Sequence, residues 1–456
     1  MPRLLFENAT LLCGEYMEKG LLSVDGEKIS GIWLQKEIDS GNAIPPSAEG
    51  YERIDLGGKV LMAGGIDAHV HFREPGMSAK GDFFSESRAA LLGGITTVLD
   101  MPNTNPPTVS GEALEAKTDL AEGKFWTGYG FHIGATNTNA DEIIRIVNEA
   151  PRSFAGIKVF MGSSTGDMLV DSASALGKLF RIKGKRILVH CEDEATIREN
   201  LAKAREEYGD GIPFSMHPLI RSRKACIRST AKALETAIAE GTALHILHVS
   251  TAEEVEMIRA AKIHNKEITA ETSANYLTFS EEDYGRLESR VKCNPAIKSP
   301  RDREALREAV RDGIIDTIGS DHAPHLASEK DAVYTKAPSG VPSIQHSIPA
   351  VLSVFKEEGI SLTRAASLFS EKAASMFGMD DRGFLKVGMR ADLTVVDPDK
   401  PFIVRKEDFA YKCGWSPYEG MELSSPVEMV FLGGEKAVEN GKVILRSPTG
   451  KPVIFH

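Results

Sequence analysis

The sequence predicts an α/β protein: a TIM-type (β/α)8 barrel with a small β-sandwich domain formed by the N- and C-terminal segments. Three observations carry that expectation. Through the middle of the chain, short β-rich runs alternate with longer helical segments, the pattern of a parallel sheet with crossover helices. Eight such runs can be counted, the number that closes a barrel of this type. Before residue 56 and after residue 384 the helical period is absent and only short strands are read, too few at either end to bury a core alone.

In chain order, the first strands are expected at 4–12, 21–24 and 29–33. The last two are joined through Asp25-Gly26, a good hairpin signal between apolar runs. A polar Ser/Gly/Pro stretch at 39–49 follows. The eight barrel strands are read at 60–66, 96–100, 127–133, 156–161, 186–191, 244–249, 267–270 and 315–319. Helices at 112–121, 141–149, 222–240, 251–263, 301–312 and 361–377 show apolar residues at three- and four-residue spacing. Strands return at 392–396, 427–432 and 442–445. The expected domains are therefore 1–55 plus 385–456 for the composite β unit, and 56–384 for the barrel.

Composition excludes several function classes. With 42% hydrophobic and 26% charged residues, the chain can bury a large core and is neither disordered nor fibrous. Its 54 Lys+Arg against 65 Asp+Glu give a net charge of −11, which argues against general nucleic-acid binding. A small anion remains open, because a few local cations can hold one. The five cysteines are scattered and never form a C-x-x-C pair, the usage of a reducing cytoplasm. No apolar run approaches membrane-spanning length, and Glu7 interrupts the start before a signal-like segment can develop. The expected partner is a small molecule, with neither nucleic acid nor membrane.

The strongest local signal is Asp67-Ala-His-Val-His-Phe-Arg-Glu-Pro-Gly76, directly after the first barrel run. In extended backbone, residues two apart face the same way, so His69 and His71 can address one ion. Imidazole is a common ligand of divalent transition metals. Alone the pair is weak evidence and more often two ordinary hydrogen-bonded histidines, but barrel active sites form at this end of the strands. Lys158 lies inside the fourth run, where an unpaired ammonium is costly to bury. His190 ends the fifth run and His248 the sixth. Asp321 follows the eighth, in Gly319-Ser-Asp-His-Ala-Pro-His325. Together they look like the site of a metal-dependent hydrolase.

This constellation resembles the cyclic-amidohydrolase branch of the amidohydrolase superfamily. Within that branch, the segments His71-Phe-Arg-Glu-Pro-Gly76, Asp100-Met-Pro-Asn-Thr-Asn-Pro106, His248-Val-Ser-Thr251 and Asp321-His-Ala-Pro-His325 are similar to dihydroorotases. The resemblance runs from about Ile54 to Gly388-Met-Arg-Ala-Asp-Leu393. It implies two zinc ions per subunit bridged by a carbamylated Lys158, with His69, His71 and Asp321 on one ion and His190 and His248 on the other. A metal-bridging hydroxide would open a cyclic amide, with Asp321 as general acid/base. Arg73, Asn103 and His325 would hold a substrate carboxylate, Asn294 would contact the ring, and Ser339 and Gly340 would be further substrate-binding residues. The resemblance further implies a homo-oligomer and a place in pyrimidine biosynthesis, forming or opening dihydroorotate.

Departures keep other substrates in view. Many bacterial dihydroorotases carry Asp at the bridging position, and Lys158 in Lys-Val-Phe-Met is closer to hydantoinase and dihydropyrimidinase usage. Glu271-Thr-Ser-Ala lacks a frequent Pro-His-His, and Ser339-Gly340 replaces an aromatic-Gly pair. Allantoinase or dihydropyrimidinase is therefore the rival reading within the enzyme class, and a non-catalytic amidohydrolase-like scaffold the rival outside it. The loop from 325 to 342, with its Gly and Pro, stands where it could close over substrate.

Overall fold

The computed structural model describes residues 3–14, 16–162 and 168–456. Eight parallel strand positions form the barrel. They are Gly65–Val70, Ile95–Asp100, Gly128–Phe131 continued by Ile133–Gly134, Gly156–Phe160, Arg186–His190, Leu244–Ile246, Thr269–Thr272 and Thr317–Ile318. Each pairs in parallel with the next. The ring closes where the His71 amide donates to the His322 carbonyl at 2.8 Å and Val70 bridges His322. Ile157, Val159, Ile187, Val189 and Ile246 are wholly buried, as expected of parallel strands covered on both faces.

Helices expected from periodicity appear as Gly111–Ala121, Ala140–Glu149, Arg223–Glu240, Ala252–His264 and Pro300–Arg311. Side-chain caps start several of them: Ser110 accepts from the Ala113 amide and Thr251 from the Glu254 amide, satisfying first-turn donors. The 361–377 segment is helical in three pieces, Thr363–Ala366, a π turn at Ser367–Glu371, and Lys372–Met376. Phe83–Leu92, Ala173–Phe180, Glu194–Tyr208 and Ser347–Glu358 are additional helices. Glu194–Tyr208 buries only Thr196, Ile197 and Ala204, so its apolar stripe is faint in sequence.

Both ends of the chain enter one nine-stranded sheet. Arg3–Cys13, Tyr16–Asp25 and Lys28–Leu34 lie on one side of Val60–Ala63, while Leu393–Val396, Val427–Leu432, Glu435–Glu439 and Lys442–Val443 lie on the other. Phe6 and Phe431 are three strand steps of roughly 4.8 Å apart along this path, yet their ring centroids are 4.9 Å apart. The sheet therefore folds over on itself and packs its two ends face to face.

Two strand readings are corrected. The run read as 60–66 is two strands, not one. Val60–Ala63 pairs with Arg3–Cys13 and Leu393–Val396 in the large sheet, and the barrel strand starts only at Gly65. Gly64 makes the changeover possible, since a Cβ there would stand 2.2 Å from Thr96 Oγ1. The seventh strand is Thr269–Thr272 rather than 267–270, which puts Glu271 inside a buried strand.

At the opposite end of the barrel from Asp321, residues 449–456 pass beneath the third strand. The Gly450 amide donates to the Phe125 carbonyl and the Val453 amide to the Tyr129 carbonyl, both at 2.8 Å. Phe455 is buried against Gly130, where any Cβ would fall 2.5 Å from its Cζ. Phe455→Ala should leave a void in this floor and cost about 3–5 kcal/mol, read as a lowered thermal unfolding midpoint. An unchanged midpoint would show that the ring contributes no packing.

Candidate metal centre

The site is built by the strand ends and the turns that leave them. His69 is on the first strand and His71 just after it. In the cross-strand register Phe160 stands beside His190, and Lys158 beside Leu188 and Gly134. Arg73, His248 and Asp321 have φ of 70°, 38° and 47°. Side-chain-bearing residues rarely adopt this left-handed region, and such strain collects at functional sites.

His69, His71 and Asp321 offer ligand atoms that all lie within 4.8 Å of one another. His69 Nδ1 is 2.7 Å from Glu271 Oε1, and His71 Nδ1 is 2.7 Å from Asn103 Oδ1. Both partners are acceptors, so each Nδ1 carries the proton and each Nε2 presents a lone pair. Those two Nε2 atoms face Asp321 Oδ1 at 3.3 and 3.2 Å. Two lone pairs converging on a carboxylate oxygen with no proton between them is an arrangement that a cation resolves. Burial pushes the imidazoles of His69, His71, His190 and His248 below their usual range, favouring the neutral form that metals require.

A second donor pair lies beside the first. His190 Nδ1 and His248 Nε2 are 2.9 Å apart, and the His190 Nε2–H donates to Glu192 Oε2 at 3.0 Å. The His69 and His248 rings are 5.4 Å apart between centroids, so the two pairs share one cluster. Lys158 is buried beside it, its Nζ 4.6 Å from the Phe160 ring centroid. Among the described residues no carboxylate pairs with it, and burial lowers its ammonium to about 8. The donor set fits divalent ions, with outer nitrogens held by Glu271, Asn103 and Glu192 in the manner that orients metal-bound imidazoles.

The cluster floors a cavity of about 310 Å3, within the size range of small-molecule sites, roughly 300–1,000 Å3. All twelve residues singled out in the sequence line it: His69, His71, Arg73, Asn103, Lys158, His190, His248, Asn294, Asp321, His325, Ser339 and Gly340. Arg73 is buried; its Nε donates to the Pro324 carbonyl and its Nη2 meets His325 Nε2, each at 3.1 Å. No carboxylate pairs with it among the described residues, and burial brings it down to about 10. Asn294 Oδ1 is buried with no hydrogen-bond partner among them. The 325–342 segment is a stapled wall containing helix Ala327–Lys330. Lys330 Nζ donates to the Pro338 and Gly340 carbonyls at 2.8 and 3.0 Å, and Lys292 Nζ to those of Tyr334 and Ala337 at 2.7 and 2.6 Å.

Sequence reasoning assigned no role to Glu192, Glu271 or Arg221, the last a further lining residue of the cavity. Asn103, expected at a substrate carboxylate, lines the cavity, and its Oδ1 accepts from His71 Nδ1–H. A signal existed for the two glutamates, each lying in or directly after a buried barrel strand, a place where a carboxylate needs a partner.

The comparisons agree with this geometry. A model of the amidohydrolase family matches residues 60–441. Dihydroorotase from Methanosarcina acetivorans is 33% identical over 436 residues, covering 93% of this chain and 90% of that protein. Allantoinase from Rubrobacter xylanophilus is 32% identical over 424 residues, covering 90% and 91%. Among solved structures, L-hydantoinase from Arthrobacter aurescens superposes with a TM-score of 0.91 at 26% identity over 100% of both chains. Its match to the family model, and relatives that share both length and barrel, place the chain in the amidohydrolase family, among the cyclic amidohydrolases.

Proposed function

We propose that the protein is a dihydroorotase, reversibly opening the cyclic amide of dihydroorotate to N-carbamoyl-L-aspartate. The observation that carries this reading is Arg73, a buried guanidinium on the cavity wall with no carboxylate partner among the described residues. A ring carboxylate on the substrate supplies that partner through paired, charge-assisted hydrogen bonds. Hydantoin and dihydropyrimidine rings without an acid group leave the charge uncompensated. The dihydroorotase relative supports the choice. The L-hydantoinase neighbour and Lys158 favour the second reading, a hydantoinase- or allantoinase-type enzyme.

In this reading His69, His71 and Asp321 would hold one zinc ion, and His190 and His248 a second. Lys158 would take up CO2 as a carbamate, which would replace a costly buried ammonium by an oxygen-bearing anion beside both sets. Such ions, when bound, polarise an amide carbonyl and make water nucleophilic at neutral pH. Arg73 fixes the substrate carboxylate and thereby the face of the ring presented to the cluster. Asn294, Ser339 and Gly340 enclose the ring, and Asn294 Oδ1 accepts a ring N–H. Asp321 takes the proton released as water adds to the carbonyl carbon. It returns that proton to the ring nitrogen as the carbon–nitrogen bond breaks, and the reverse sequence closes the ring with loss of water.

Turnover of L-dihydroorotate, allantoin, hydantoin and dihydrouracil by one zinc- and bicarbonate-loaded preparation tests the assignment. The highest kcat/KM is expected with L-dihydroorotate; a higher value for any of the others overturns it. Arg73→Met should raise KM for dihydroorotate roughly ten- to a hundredfold, the loss of one or two charged hydrogen bonds, with zinc content unchanged. Parent-like KM would place the carboxylate elsewhere. Lys158→Ala should lose most activity and at least one zinc by elemental analysis, with partial rescue by short carboxylic acids. Full activity in that variant would remove the carbamate from the scheme.

A further inference from the structure

Arg221 belongs to none of the motifs that describe the site. It lines the catalytic cavity and also a second cavity of about 240 Å3 beside helix Glu194–Tyr208, which shares Arg221, Asn294 and Ser339 with the first. Its guanidinium is ion-paired with Glu192 Oε2. That same oxygen accepts the proton of His190 Nε2 at 3.0 Å. Glu192 is completely buried.

We propose that Arg221 is a positioning residue for His190, acting through Glu192. A buried carboxylate needs a partner charge, and Arg221 is the Lys/Arg cation in ion-pair contact with Glu192 among the described residues, on the oxygen that also faces His190, while Oε1 has no hydrogen-bond partner there. Held in this way, the carboxylate fixes the Nε2–H of His190 and turns the Nδ1 lone pair toward His248 Nε2, 2.9 Å away. It also makes the imidazole a stronger donor, as carboxylate partners of metal-bound histidines do.

The first donor set is supported differently. Glu271, behind His69, has its other oxygen 3.5 Å from His245 Nε2 and no arginine in ion-pair contact among the described residues. The two ion positions thus differ in what stabilises them: the His190/His248 position depends on an arginine at the cavity wall, and the His69/His71/Asp321 position does not.

The inference rests on reading His190 and His248 as ligands, and the test separates the two claims. Apoprotein is titrated with zinc against a chromophoric chelator, and the cobalt-substituted protein is examined by visible absorption. Arg221→Met and Glu192→Gln should each weaken the second zinc about tenfold or more, leave the first near its parent affinity, and shift the cobalt spectrum. Arg221→Lys should restore most of the affinity. Two zinc ions at parent affinity with an unshifted cobalt spectrum in Arg221→Met and Glu192→Gln would overturn the proposal and make Arg221 a substrate contact, seen as a raised KM alone. His190→Asn is titrated in parallel. If it keeps both ions, the ligand reading itself is lost; if it loses one while the Arg221 and Glu192 variants keep both, only the positioning role is lost. Should Arg221→Met not fold, Glu192→Gln decides by the same measurements.

Discussion

The mouth of the barrel is organised around two lone pairs aimed at one anion. Glu271 and Asn103 take the outer protons of His69 and His71, and this forces the inner nitrogens to face Asp321 with nothing between them. Inside a packed interior acceptor against acceptor is penalised by the low dielectric. A cation bound among these atoms would relieve that penalty. The neighbouring His190/His248 pair, Lys158 with no carboxylate partner among the described residues, and the left-handed backbone at His248 and Asp321 are all arranged about the same point. A parallel barrel allows this because its strands all end at one mouth, so residues far apart in sequence are brought together without a long search for register.

Charge is distributed to match. The chain as a whole is acidic, yet the cavity walls carry Arg73 and Arg221, and Lys292 and Lys330 brace the loop behind them. Lys330 and Lys292 spend their donors on main-chain oxygens, which turns a Gly/Pro-containing loop into a fixed wall. Arg221 is spent on Glu192. Arg73 has no carboxylate partner among the described residues, and in the proposed function discrimination among cyclic amides falls on this one guanidinium.

Much of this was legible in the sequence, and the misses have physical reasons. The candidate ligand positions could be read because each lies in or just after a short apolar run, and strand alternation then fixes which residues share a face. The partners behind them could not. Glu192 follows His190 just as a helix begins, where a carboxylate is ordinary, and Glu271 became a strand residue only when the seventh strand shifted by two positions. Asn103 was expected at a substrate carboxylate from the family resemblance alone, and its further contact with His71 could not be read because a turn asparagine has no periodic signature. The 60–66 run was read as one strand because both halves are apolar; Gly64 parts them by allowing a close approach to Thr96 that no pattern of hydrophobicity records. Glu194–Tyr208 went unread because a helix that buries so few residues is nearly uniform in polarity.

Val60–Ala63 has a consequence for how the molecule is made. Its four buried residues are held on one side by Arg3–Cys13 and on the other by Leu393–Val396, so its second neighbour arrives from the far end of the chain. Contacts closed over such separations form late. A nascent chain that has already passed Asp321 holds every donor of the metal cluster while this apolar strand edge is still open, a template for pairing with other chains. Substitutions along Leu393–Val396 therefore bear first on the yield of correctly folded molecules during synthesis, and only afterwards on the endurance of the finished enzyme.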